Sequence, residues 1–326
     1  MTSFCLALRN LTLAVTLASL AACAWPQPQL AVPTASVSTA ARAQRPHSWM
    51  ASGASGRNLL YISDNGLGAV VVYTYYPDPI TYVGLLIGAS HPQGECVDKN
   101  QNVWVADSVL YEYAHGQSQP IALLGDPQGG LNACAVDPLT GNLAAISSQV
   151  VYPSVAIYKH AAGRPKIYVF SNFESLDACA YDASGNLFVV GASRSGQTFQ
   201  LAELRDGGRR FGVVTLNQAI STAGGMQWDG QHLVIGDSTN SILYQFDISG
   251  NTGTVVGSTT VTGSSYMRQF FIEKNRVIIP SPFAFKGTFV NLYWYPKGGF
   301  RTRTLWNFSV PVGAAVSLAP NPTIAR

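Results

Sequence analysis

One short pattern recurs along this chain and restricts its fold more than any other feature. An apolar or small-residue segment ending in an acid occurs at Gly94-Glu95-Cys96-Val97-Asp98, Ala133-Cys134-Ala135-Val136-Asp137, Ala178-Cys179-Ala180-Tyr181-Asp182, Gly225-Met226-Gln227-Trp228-Asp229 and Gln269-Phe270-Phe271-Ile272-Glu273. The closing acids are 39, 45, 47 and 44 residues apart. After each comes a turn and a second apolar run, at 102–107, 142–147, 186–191, 232–237 and 276–280. The turns Asp182-Ala-Ser-Gly-Asn186 and Asp137-Pro-Leu-Thr-Gly-Asn142 carry the Asp, Gly and Asn that a tight hairpin requires. Third runs follow at 109–113, 155–159, 199–203, 242–246 and 290–294, and fourth runs at 121–124, 166–169, 211–214, 253–256 and 302–305. Four short strands in a repeat of this length are the arithmetic of a β-propeller blade.

The two ends of the chain complement each other. Residues 58–64 read as a second strand with no first strand before it, and residues 313–318 as a first strand with nothing after it. Pairing them would close a ring and remove two exposed sheet edges. The expected fold is therefore all-β: a six-bladed β-propeller of four-stranded antiparallel blades over residues 58–318, its first blade completed by the C-terminal strand, with a tail at 319–326.

Composition agrees with such a fold and excludes several functions. Only 11% of the 326 residues are charged against 47% hydrophobic, which argues against disorder, coiled coils and long solvated helices. The formal net charge is +3, and Arg9, Arg42 and Arg45 are the charged residues before position 48, so the rest of the chain is formally neutral. That leaves no concentrated basic face for nucleic acid.

Residues 1–22 read as an export signal, with Arg9 ahead of an apolar run too short for a permanent span. The run ends in Leu20-Ala21-Ala22-Cys23, which resembles the lipobox of bacterial lipoproteins. That resemblance implies acylation of Cys23 and a lipid-anchored protein of the cell envelope, in the outer membrane if the cell is Gram-negative; the alternative is ordinary secretion. Residues 23–57, rich in Ala, Pro and Ser, read as a flexible tether. Of the remaining cysteines, Cys96, Cys134 and Cys179 have neither metal nor redox spacing and are expected as small buried hydrophobes.

The Pro92-x-Gly94-x-x-x-Asp98 and Asn102-x-Trp104-x-Ala106-Asp107 pattern resembles NHL-type propellers and the related SMP-30/gluconolactonase-like propellers. The resemblance to the lactonases implies a divalent cation (Ca, Mg, Mn or Zn) at the channel mouth, held by oxygen ligands at the starts of innermost strands. The positions five residues before the repeat-closing acids hold Gln93, Asn132, Asp177 and Arg268, with Gly224 and Val312 in the other repeats. Asn132 and Asp177 match the family's Asn and Asp, but its Glu position falls on Arg268. Gln93, Asn132, Asp177 and Arg268 are therefore candidates for a mouth that binds an anionic, sugar-like or protein ligand. A metal-dependent lactone hydrolase using Asn132 and Asp177 is the alternative, and a structural envelope scaffold a third.

Other residues have plainer readings. Gly236-Asp237-Ser238 imitates an esterase nucleophile, but Ala106-Asp107-Ser108 fills the same slot, which marks a strand end. The five histidines lack ligand spacing. The tyrosines of the third runs fit inter-blade packing, and Trp228 and Met267-Arg268 fall near the predicted mouth.

Overall fold

The computed structural model describes residues 47–148, 152–194, 196, 199–284 and 287–320. The export signal, Cys23 and most of the tether lie outside the described residues. The described chain is all-β, with two short 3-10 turns at Ala54–Gly56 and Lys159–Ala161.

The strands form a propeller-like arrangement of antiparallel sheets. Three of these contain four strands each, in chain order from inside to outside: Glu95–Val97 to Pro120–Gly125, Leu131–Val136 to Lys166–Val169, and Phe271–Glu273 to Arg303–Leu305. The expectation of six separate sheets is not met by the hydrogen bonding. The run from Ala178–Tyr181 to Gly212–Leu216 is joined to the run from Ala223–Trp228 to Thr252–Thr262 in one larger sheet. The join is parallel and consists of Thr215 opposite Thr252 and Leu216 opposite Gly253.

Chain ends share the remaining sheet. Pro311–Ser317 lies antiparallel to Leu59–Asp64, with Leu59 opposite Ser317 and Ser63 opposite Gly313. Its outer edge is covered by Trp49–Met50, from the stretch read as tether.

Burial explains why the second strand of each run is a continuous apolar stretch. Leu59–Asp64, Val103–Ala106, Leu143–Ser147 and Leu233–Asp237 are buried at every residue, because sheets pack against both of their faces. The fourth strand Pro120–Gly125 faces solvent on one side and alternates accordingly.

The repeated acids hold the turns. Asp98 Oδ1 accepts from the Asn100 and Asn102 amides, and Asp182 Oδ1 from those of Ser184 and Asn186. Acids at the ends of second strands fasten the loop that enters the same sheet. Asp64 accepts from the Ser309 and Val310 amides, Asp107 from that of Ser90, and Asp237 from those of Ser221 and Thr239. Asp237 is thus engaged as a strand-end clamp.

One expectation about the cysteines is corrected. Cys96 and Cys134 form a disulfide between the innermost strands of two neighbouring sheets, while Cys179 stays free and buried. Innermost strands approach closely enough in the ring for facing thiols to join.

Candidate functional site

Gln93, Asn132, Asp177 and Arg268 all line one cavity of about 340 Å³. They occupy the same repeat slot, so the ring brings the starts of successive innermost strands to one level. Asn65, Val310 and Val312 complete part of the wall. Cys179, Met226 and Gln269 line both this cavity and a second one of about 260 Å³ whose other walls include Val97, Tyr181 and Trp228. These shared residues form the floor between the two.

Close backbone approach keeps that floor tight. A Cβ on Gly313 would lie 2.3 Å from the Gln93 carbonyl oxygen, so only glycine lets these strands meet. Across the gap, Gln269 Oε1 accepts from the Glu95 amide at 2.8 Å and its Nε2 donates to the Glu95 carbonyl at 2.6 Å.

The polar groups of the mouth differ in how they are held. The Gly94 amide donates to the Asn132 carbonyl at 2.9 Å, and Asn132 Nδ2 reaches the Leu176 carbonyl at 3.4 Å. Asp177 is anchored by its amide, which donates to the Val190 carbonyl at 2.8 Å, and Ser175 Oγ lies 3.4 Å from both carboxylate oxygens. Burial pushes the Asp177 carboxyl up to about 6, opposed by the Ser175 hydroxyl and the Arg268 charge. Arg268 is exposed and, among the described residues, its side chain has no hydrogen bond or ion pair. The mouth can therefore offer a ligand a permanent cation, two amides and a carboxyl that titrates near neutrality.

Sequence reasoning missed part of this site. A further cavity of about 430 Å³ shares Asp177, Ala223, Arg268 and Phe283 with the first and adds Tyr266, Thr222 and Ser238. Tyr266 lies in a connection between strands and Phe283 near the end of Arg276–Ala284, where the repeats differ and repeat alignment carries no signal. The histidines are dispersed: His115 lies between Ser317 Oγ and the Arg57 carbonyl, and His232 beside Asp229 and Asp247. No group of three His, Cys, Asp or Glu side chains among the described residues is placed to hold a metal ion.

Glu95 is fully buried two residues beyond the mouth slot. Its Oε1 accepts from Ser63 Oγ at 2.7 Å, its Oε2 has no hydrogen-bond partner among the described residues, and burial raises the carboxyl to about 8.

No family model and no curated protein matches this chain. Solved structures do match in fold. The chain is similar to a structure described as a nidogen/laminin complex, with a TM-score of 0.64 and 12% identity over 80% of this chain and 99% of the other. It is also similar to a Bacteroides caccae protein of unknown function, with a TM-score of 0.57 and 11% identity over 80% and 99%. Kuenenia stuttgartiensis hydrazine synthase matches with a TM-score of 0.55 and 16% identity over 77% and 83%. At these identities the likeness extends to the fold alone, and the fold it supports is a β-propeller.

Proposed function

We propose that this chain is an exported, lipid-anchored protein whose six-bladed propeller binds a ligand at the channel mouth without catalysis. The six-blade reading is supported by the repeat pattern and by six runs of antiparallel strands, two of which share one larger sheet through the short parallel contact at Thr215 and Leu216. The Pro92-x-Gly94-x-x-x-Asp98 pattern supports an NHL-like or gluconolactonase-like propeller. Export is supported by the Leu20-Ala21-Ala22-Cys23 sequence and by the Cys96–Cys134 disulfide, since such bonds persist in oxidising compartments. If Cys23 is acylated, Cys23→Ser will move the protein from the membrane to the soluble envelope fraction; unchanged membrane retention contradicts lipidation.

The observation that carries the binding reading is the convergence of Gln93, Asn132, Asp177 and Arg268 on one cavity, with the Arg268 side chain unpaired among the described residues. The lactonase alternative draws on Asn132 and Asp177 facing that same cavity. Hard divalent ions favour several oxygen ligands, and a single carboxyl beside a guanidinium is a weaker donor set than that.

A thermal-shift panel of sugars, sugar acids, short dicarboxylates, lactones and divalent salts tests both. Ligand at a hundredfold excess over Kd adds about 2.7 kcal/mol to stability, enough for a clear rise in Tm. One ligand class should raise the Tm of the wild type and lose its effect in Arg268→Gln, while Asp177→Asn should change the size of that rise. Equal shifts in wild type and both variants would remove the mouth as the site. A cation-dependent shift with lactone turnover, both abolished in Asp177→Asn, would establish the hydrolase instead.

A further inference from the structure

Two cavities on the mouth side adjoin one another. The inner one is lined by the amides Gln93 and Asn132, and the outer one by Thr222, Ser238 and Tyr266; Asp177, Arg268, Ala223 and Phe283 belong to both. Each has the volume of a small-molecule site, in the range of about 300–1,000 Å³. Adjoining through these four shared residues, they suit a short chain of small rings better than a single compact metabolite.

The outer end is bordered by an aromatic pair that the core does not use. Tyr266 is 56% exposed and Phe283 55% exposed, with their rings edge to face at 6.2 Å between centroids. Tyr266 also has a φ of 54°, a left-handed conformation that a bulky residue adopts at a cost. An exposed ring held in a strained backbone gains little from packing, which points to contact with a ligand. Phe283 is carried there by Arg276–Ala284, one of the longest strands in the molecule.

The chemistry along the two cavities is ordered. Aromatic faces offer an apolar platform to the C–H face of a pyranose, while the hydroxyls and amides match its ring hydroxyls. Arg268, at the junction, has the fork geometry that binds a carboxylate through two donors. It is the cation in either lining. We propose that the two cavities together bind an acidic oligosaccharide, with one sugar ring against Tyr266 and Phe283 and a uronate carboxylate on Arg268.

This assignment rests on the mouth-binding reading and narrows it to one ligand class. The probes are trigalacturonate, the neutral trisaccharide maltotriose and the dicarboxylate succinate. Each is titrated by calorimetry into the full chain and into the Arg268→Gln and Tyr266→Ala variants. Both substitutions are at exposed positions, and circular dichroism and Tm serve as folding controls. Trigalacturonate should bind about tenfold tighter than maltotriose, as one charge-assisted pair allows. Arg268→Gln should remove that difference, and Tyr266→Ala should weaken both saccharides while leaving succinate unchanged. Absence of trigalacturonate binding, or binding indifferent to both substitutions, overturns the saccharide assignment. If succinate still binds in an Arg268-dependent way, the ligand-binding mouth survives that failure. If no probe binds, this mouth reading loses its support too.

Discussion

Glu95 is the residue whose position has the clearest energetic consequence. Its place in the other repeats is taken by Cys134, Cys179, Met226 and Phe270, all buried apolar or weakly polar side chains. The carboxyl is fully enclosed, and one of its oxygens has no hydrogen-bond partner among the described residues. From the ordinary glutamate value near 4.5 up to about 8, the folded chain holds a proton that the unfolded chain has released. The folded state then binds more protons, so this group makes stability fall as pH rises through that window, by roughly 1 kcal/mol per pH unit. Glu95→Gln keeps a group able to accept from Ser63 and removes the titration. Urea denaturation at pH 5 and pH 8.5 should show a smaller loss of stability across that range in the variant; equal losses would contradict the buried, protonated state. The acid was visible in the sequence, but its burial was not, because the repeat pattern marks it only as a departure at an otherwise apolar position. The acids that close the repeats were more legible, since turn chemistry explains Asp98 and Asp182 from local sequence alone.

At the level of strands, legibility ended where neighbouring sheets meet. The second strands could be read from their continuous apolar runs, and the closing strand from two unmatched ends. The disulfide could not. Cys96 stands two residues before its repeat-closing acid and Cys134 three before its own, and this offset of one residue turns the side chains to opposite faces of their strands. They therefore face each other across the gap between sheets. The same geometry one sheet further on places Ala135 and Cys179 in a shared core cluster. Ala135→Cys should thus form a second inter-sheet disulfide with Cys179. Non-reducing peptide mapping after oxidative refolding should recover the peptides joined through positions 135 and 179. Two thiols left free under those conditions would contradict the facing arrangement.

Over the whole molecule, the ring turns equal places in a repeat into neighbours in space. That is why four candidates from distant parts of the sequence, Gln93, Asn132, Asp177 and Arg268, border a single cavity. The aromatic border was not legible because Tyr266 and Phe283 lie where the repeats differ in length and sequence. With few charges and a neutral propeller, long-range steering contributes little, so in the proposed binding role selectivity would rest on the groups at the mouth. Asp177 and Arg268 are central among them. The charged or titratable groups in the linings that contain Asp177 are Arg268, Tyr266 and Cys179, and burial raises the Cys179 thiol to about 12. Near neutrality the change therefore belongs to Asp177, which loses its negative charge as pH falls through about 6. A uronate carboxylate is ionised at pH 5 as at pH 7.5, so removing the Asp177 charge beside Arg268 should favour the acidic ligand. Calorimetric titration of trigalacturonate into the wild type and Asp177→Asn at pH 5 and pH 7.5 measures this directly. Binding should be several-fold tighter at pH 5 in the wild type and almost independent of pH in the variant; the same pH dependence in both proteins, or tighter wild-type binding at pH 7.5, would contradict a titrating Asp177 beside the ligand.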